Sequence, residues 1–150
     1  MGLSDAKCVD CQAGLESGIG AILAAFSGVN VVSGGGMMDF ESCQGLEKLV
    51  IDKEISGMAY RLIEGISQRD EPIAIELFTD LEKGINFLTH PHTKRWYRVE
   101  KTFPKIIDRG NYGQWLSSGK PTLTDRASRQ VEYLLSQKEE PFLSDEIKKK

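Results

Sequence analysis

The sequence predicts an α/β fold, mostly helical with few strands, and three observations carry that expectation. Apolar residues recur three and four apart over two long stretches, Ser4 to Phe26 and Gly45 to Glu64, which is the period of an amphipathic helix. Between them lies a β-branched run, "GVNVVS", closed by three consecutive glycines at 34–36; such a run bounded by glycine reads as a strand. Helix, strand, loop and helix in that order is half of the alternating pattern that builds a parallel sheet with helices packed on it.

Each element has a local reason. Ser4 is placed to cap the first helix and Asp5 to meet its dipole, while Leu15, Ile19, Ile22, Leu23 and Phe26 form its apolar face. Gly28 stands where a C-terminal glycine belongs, and a strand is expected over about Val29 to Ser33. The second helix, about Gly45 to Glu64, has Ile51, Ile55, Met58 and Leu62 on one face and the Lys48–Asp52 pair, four apart, on another; Gly65 ends it. "DEPIAIELFTDLEKG" predicts a shorter helix with Asp70 as N-cap, Pro72 in its first turn and Gly84 at its end. Pro91, Pro104 and Gly110 make the following stretch irregular, apart from a helical segment around Thr93 to Glu100. A last helix, about Leu123 to Lys138, precedes a charged end that Pro141 interrupts.

At 150 residues the chain has the size of one domain, or is one part of something larger. With 19 basic and 22 acidic residues the net charge is -3, which argues against nucleic acid as a partner. The longest apolar stretch, Ala21 to Phe26, falls far short of the roughly 18–20 residues that cross a bilayer, and no charged region leads into a signal-like apolar core. No membrane is expected, and the location expected is cytoplasmic. Three cysteines, an odd number, point to reduced thiols rather than a disulfide framework.

Several groups of residues carry possible chemistry. In a βα unit the loop leaving the strand's C-terminal end lies at the ligand face, which puts Gly34 to Glu41 at a candidate site. Its glycines, Gly34, Gly35 and Gly36, let backbone approach a bulky ligand; Met37 and Met38 offer soft apolar surface; Asp39 and Glu41 offer negative charge. A cationic or large flat ligand suits it, and a plain turn with solvated acids is the bland alternative. The spacing matches neither a dinucleotide fingerprint nor a P-loop. Cys8 and Cys11 have a metal-ligand or redox spacing, with Cys43, His90 and His92 as imaginable partners, but on the first helix they share a face with Leu15 and Ile19, where small buried thiols are commonplace. No metal is expected. "THPHTKRWYR" gathers His90 and His92 as a possible general acid or base, and Trp96 and Tyr97 as faces for a quaternary ammonium, against a packing corner in which the histidines bond backbone. Asp52 and Glu54 lie about 200° apart around a helix, so they form no carboxylate pair, and at least one of them is expected to be a solvated or capping charge.

The blocks "SDAKCVDCQAGLE", "GVNVVSGGGMMDFE", "LEKLVIDKEISGM", "FLTHPHTKRWYR" and "RGNYGQWLSSGK" together resemble the C-terminal portion of the trimethylamine methyltransferase family, the corrinoid-dependent methylamine and betaine methyltransferases. The resemblance runs in order from Ser4 to about Leu135. It implies the C-terminal part of a (β/α)8 TIM-type barrel, incomplete on its own, with residues 1–66 as a helix–strand–helix of the barrel and 67–150 as a C-terminal elaboration. It implies methyl transfer from trimethylamine, or a quaternary amine such as glycine betaine, to the Co(I) of a corrinoid carried by a cognate partner protein, and a homo-oligomer in complete form. In the family, members acting on trimethylamine use pyrrolysine, encoded by an in-frame amber codon. No pyrrolysine stands among these residues. Two departures are Cys8 with Cys11, and Gly45 where a serine commonly starts the helix.

A barrel needs about 250 residues, so most strands and catalytic groups are expected upstream of Met1, through a truncated gene or a start assigned after an amber codon. On this resemblance Gly34, Gly35, Gly36 and Met37 border the corrinoid's approach; Asp39 and Glu41 are the first candidates for charge at the site, His90 and His92 weaker ones; and the isolated chain is expected to be inactive. Two other readings stay open: a non-catalytic interaction module derived from a barrel, and a small metal or redox protein using Cys8 and Cys11.

Overall fold

A computed structural model describes residues 3–69, 75–81, 84 and 86–137. The chain is mostly helical with one small two-stranded sheet: α1 (Cys11–Phe26), β1 (Met37–Met38), β2 (Cys43–Gln44), α2 (Leu46–Glu64), α3 (Glu76–Leu81), α4 (Pro91–Glu100), α5 (Tyr112–Ser117) and α6 (Leu123–Ser136). Helix α2 is the centre, with α1 packed on one side and α6 on another. Among the described residues no helix is long and apolar enough to cross a membrane.

Helix α1 starts six residues later than a cap at Ser4 predicts. Asp10, not Ser4, is the N-cap: its carboxylate accepts from the backbone N–H groups of Gln12 (2.9 Å) and Ala13 (3.2 Å). Ser4 instead donates to Glu16 Oε2 at 2.6 Å, and the Asp5 N–H donates to the same oxygen at 2.8 Å. Glu16 therefore folds the segment before the helix back along its flank. These hydrogen bonds, that from Ser4 first, hold the Glu16 carboxyl below the usual carboxylate range.

The face α1 buries also differs from the expected one. Ala13, Ser17 and Ala24 are buried, whereas Leu15, Ile19, Ile22, Leu23 and Phe26 are all exposed, Phe26 by 68%. Small residues let α1 lie close on α2, and the apolar stripe points away. Cys8 and Cys11, expected on a buried face with that stripe, are exposed, as is Cys43.

The run from Val29 to Ser33 forms no strand. Among the described residues nothing pairs with it in a ladder, and Val31 is 82% exposed; a β-branched run becomes a strand only where a neighbour supplies the hydrogen bonds. The sheet lies just after it. β1 and β2 are antiparallel, with Met37 opposite Gln44 and Met38 opposite Cys43, joined by a turn in which Asp39, Phe40 and Glu41 all take positive φ, between 50° and 67°.

Helix α2 matches its sequence boundaries, with Gly45 as a cap that supplies no side-chain bond and Gly65 at φ 72° as the stop. Val50 and Ile51 of α2 make the core with Ile106 and Ala127, flanked by Val9, Ile55, Leu123 and Val131. Polar ties fix the same contacts. Glu54, 8% exposed, accepts from the Lys105 N–H at 2.8 Å; Ser128 of α6 donates to Glu47 at 3.1 Å; Arg126 Nε donates to the Ile106 carbonyl at 2.6 Å.

Asp70 and Pro72, the expected start of the third helix, and Lys138 with the charged end lie outside the described residues. Helix α5 was hidden in a stretch that reads as irregular. Its start is a capping box in which Asn111 Oδ1 accepts from the Gln114 N–H and Gln114 Oε1 from the Asn111 N–H, both at 2.9 Å. Helix α6 begins with the same device, Thr122 with Asp125.

Candidate functional site

The glycine loop is held by a buried charged cluster. Lys48 is wholly buried and Asp52 is 4% exposed, so the expectation of a solvated Asp52 or Glu54 fails for both. Lys48 Nζ lies 2.5 Å from Asp52 Oδ2 and donates to Ser17 Oγ of α1 at 2.7 Å. Asp52 Oδ2 also accepts from the backbone N–H of Gly36 at 2.7 Å. Asp52 Oδ2 holds the loop and Lys48 Nζ reaches α1, so the pair ties loop, α1 and α2 together, and the charge of the carboxylate is balanced by the lysine beside it.

The three glycines have different surroundings. Gly34 has φ 91° and a Cβ there would meet Leu3 Cδ2 at 2.3 Å; Gly36 has φ 83° and a Cβ would meet Leu49 Cβ at 3.0 Å and the Gly45 carbonyl oxygen at 3.2 Å. Glycine at these two positions serves a backbone conformation that other residues rarely adopt, and the chain's own packing. At Gly35 a Cβ would meet only Leu49 Cδ1, at an ordinary 3.5 Å. Met38 is buried against the site of a Gly45 Cβ, 3.2 Å away, and Met37 is half-buried.

The loop acids lie at the hairpin tip. Asp39 pairs with Lys7 at 3.1 Å, both well exposed, and its N–H donates to the Ala6 carbonyl at 3.2 Å. Lys7 also sits 5.0 Å from the centre of the Phe40 ring. Glu41 is exposed beside them. The tip therefore presents an aromatic ring and two carboxylates on a turn held in an uncommon backbone conformation.

His90 and His92 stand on a different element. His90 is the N-cap of α4, its Nδ1 accepting from the His92 N–H at 3.1 Å, which assigns it a structural bond of the kind a packing corner makes. The aromatic faces after it are taken by the chain's own cations. Arg95 and Arg69 lie 4.6 Å and 5.3 Å from the Trp96 ring centre, and Lys101 lies 5.3 Å from that of Tyr97. Arg69 and Arg61 both pair with Glu100 at the end of α4.

Cys8 donates its thiol to Asp10 Oδ2 at 3.4 Å. That bond, with the negative charge of the same carboxylate, pushes the Cys8 thiol up from its ordinary value. Among the described residues no group of three or more His, Cys, Asp or Glu side chains is arranged to hold a metal ion.

Two clefts adjoin the cluster. One of about 150 Å³ lies between α1 and α2 under the 29–35 segment, and Asp52 lines it. The other, about 270 Å³, shares Ala21, Val29, Val32 and Tyr60 with it and continues along Ala24, Ala59 and Ile63. Missing from the sequence reading were Ser17, Lys48 and Asp52 as one unit. The available signal was the i, i+4 spacing of Lys48 and Asp52, which is the same for a surface pair and a buried one.

The sequence profile of the trimethylamine methyltransferase (MTTB) family matches residues 1–150. A trimethylamine methyltransferase MttB of Methanosarcina thermophila is 34% identical over 146 residues, which is 97% of this chain and 30% of that protein. A glycine betaine methyltransferase of Desulfitobacterium hafniense is 31% identical over 147 residues, again 97% of this chain and 30% of the relative. The chain thus spans about 30% of the length of these relatives.

Proposed function

Because the chain belongs to the trimethylamine methyltransferase family, we propose that it contributes one part of a barrel enzyme that moves a methyl group from a methylated amine, trimethylamine or a quaternary amine such as glycine betaine, to the corrinoid of a cognate partner protein. The observation that carries this is the match along the whole chain to relatives named for those two substrates. When bound, the corrinoid would supply the nucleophile, Co(I), and the demethylated amine would be the leaving group; the protein's part would be to position the amine and stabilise charge. In a (β/α)8 barrel the loop at 34–41 would lie at the mouth.

What the residues offer at such a mouth is selective. Gly34 and Gly36 are packed against the chain's own Leu3 and Leu49, so Gly35 is the position with room for close approach. Asp39, Phe40 and Glu41 at the tip combine negative charge with an aromatic face, the pairing that holds a methylated ammonium, and Lys7, which now fills that place, would move aside for one. His90, as a helix cap, is assigned a supporting role with His92. Activity is proposed for the full length that the relatives have, in a homo-oligomer, and not for this chain alone.

The test is a chimaera in which this chain replaces the matching stretch of the Desulfitobacterium relative, assayed with glycine betaine and with trimethylamine by the absorbance of the cognate corrinoid protein. Methyl transfer by the chimaera supports the reading; a folded chimaera inert toward every methylated amine overturns it. A second reading rests on the exposed stripe of α1: the chain acts as an association module that covers that stripe with a partner. Partner-dependent solubility without methyl transfer would favour it.

A further inference from the structure

The turn between β1 and β2 already holds a cation, and it is the chain's own. Lys7 Nζ lies 3.1 Å from Asp39 Oδ1 and 5.0 Å from the centre of the Phe40 ring, and it donates to the Asp5 carbonyl oxygen at 2.7 Å. A carboxylate, a carbonyl oxygen and an aromatic face are the groups with which proteins hold an ammonium ion. The backbone sets them in place. Asp39, Phe40 and Glu41 stand consecutively at positive φ, a conformation that costs free energy at each residue and persists only where its surroundings impose it. Here the Asp39 N–H donates to the Ala6 carbonyl at 3.2 Å and the Ser42 N–H to that of Asp39 at 2.9 Å. The first of these bonds also pins the backbone beside Lys7, so its ammonium group stays within a side chain's length of the tip wherever it turns. With the Lys7 side chain 64% exposed and Phe40 74% exposed, the lysine can swing into water without opening the core.

We propose that Lys7 is a specificity-determining residue: a tethered competitor that occupies the ammonium place at the tip and holds down the affinity of every cationic ligand that enters it. The proposal rests on the reading of the tip as a site for a methylated ammonium. Lys7 sets one positive charge against the two negative charges of Asp39 and Glu41, so the tip still attracts a cation. A cation that reaches Asp39 and Phe40 must nevertheless displace Lys7 and then sit beside it, because the bond at Ala6 keeps the lysine close. A neutral ligand of the same shape leaves the pair of Lys7 and Asp39 intact and meets no repulsion from it. Lys7 therefore acts through Asp39 and Phe40, and it acts on the charge of the ligand and not on its shape. Since exposed ion pairs are weak, a ligand with enough methyl contact on the Phe40 face can still win the place, whereas a cation held by charge alone cannot.

The test is a ligand-observed saturation-transfer NMR titration of the full chain, which reads binding whatever the association state. Two probes share one shape: choline, and 3,3-dimethyl-1-butanol, in which carbon replaces the quaternary nitrogen. The ratio of their dissociation constants cancels shape and isolates charge. In the wild type choline should bind the more tightly, and F40L should at least halve that preference. K7M should tighten choline by about threefold or more and leave the neutral probe within about twofold, while K7R, which keeps the charge, should leave both probes as in the wild type. Choline binding unchanged in K7M, both probes tightened equally, or K7R behaving like K7M would overturn the inference and leave the ammonium site standing. Choline bound no more tightly than its neutral isostere in the wild type and in K7M alike, or a preference that F40L does not touch, would overturn the reading of the tip itself and this inference with it.

Discussion

Replacing Lys48 with methionine tests whether the buried cluster is what holds the glycine loop. Lys48 is wholly buried, 2.5 Å from a carboxylate that is itself 4% exposed, so K48M removes the only described cation within reach of Asp52 and leaves a negative charge in the interior. Breaking one side of a buried pair costs about 3–5 kcal/mol, a large share of the roughly 5–15 kcal/mol that stabilises a domain. The asparagine of D52N removes the stranded charge while its amide oxygen keeps the Gly36 N–H, so K48M/D52N should cost only about 1–2 kcal/mol, the scale of ordinary hydrogen bonds lost. D52N alone strands the buried lysine and should cost a similar amount, about 3–5 kcal/mol, so the coupling between the sites is at least about 4 kcal/mol, well outside the error of a double-mutant cycle. Urea unfolding followed by fluorescence of Trp96 and Trp115 measures all four species, and hydrogen exchange at Gly36 reports the loop directly. A K48M cost below about 1 kcal/mol, or a double variant as unstable as the two single costs added, would refute the account.

The helix caps give a pH-dependent counterpart. Backbone N–H donation from Ala13 lowers the Asp10 carboxyl, and Thr122 lowers that of Asp125, both from an ordinary 3.8; a lowered folded-state value means stability fully present above that pH and lost as pH falls through the folded value. NMR titration should place both midpoints below 3.8, and T122A should destabilise α6 by about 1 kcal/mol. At the loop, G36A should cost more than about 1 kcal/mol through its positive φ and its contact with Leu49, whereas G35A should stay within about 0.5 kcal/mol, as thermal unfolding can show; bulky residues at Gly35 then probe the proposed approach of the corrinoid without unfolding the loop. Thiol titration should find Cys8, Cys11 and Cys43 all reactive, Cys8 slowest near neutral pH, with D10N accelerating Cys8 alone. Light scattering should find the purified chain self-associated and dye-binding through the stripe of α1; a monodisperse monomer that binds no apolar dye would count against the stripe as an interaction surface.

The elements written clearly in the sequence were those with a period and a cap that agree. Helix α2 lies between Gly45 and Gly65 as its pattern says, and α6 begins at Leu123 as expected, whereas α4 begins at Pro91, two residues before the expected Thr93, because His90 caps it. Where two signals competed, the reading failed. Ser4 and Asp10 are both good N-caps, and the choice was made by Glu16, whose reach back to Ser4 is a contact 12 residues long. Helix α5 was legible after all, since Asn111 and Gln114 stand three apart as a capping box requires, but two nearby glycines and Pro121 obscured it. The site was least legible. Nothing local marks Ser17 as the partner of a lysine 31 residues later, and no spacing rule announces that Gly36 would offer its N–H to Asp52.

The inversion of α1 links the fold to the family. Close approach of α1 to α2 needs small residues, which is how Ser17 comes within 2.7 Å of Lys48, and the same choice turns Leu15, Ile19, Ile22, Leu23 and Phe26 outward. Full burial of one such side chain is worth about 1.5–3 kcal/mol, so covering the stripe releases several times the cost of ordering a single side chain. The adjoining run from Val29 to Ser33 has the composition of a strand, and its Val31 is 82% exposed, with no ladder beside it among the described residues. One addition satisfies both: strands laid alongside residues 29–33 would complete the ladder and bring further apolar layers over α1 in the same step. That is the arrangement an α/β barrel supplies, and relatives more than three times the length of the matched stretch have the chain to supply it. The charged clamp at Asp52 would then sit directly behind the loop at the strand's end, fixing the backbone of Gly36 from the helix side while the tip residues Asp39 to Glu41 face the opening.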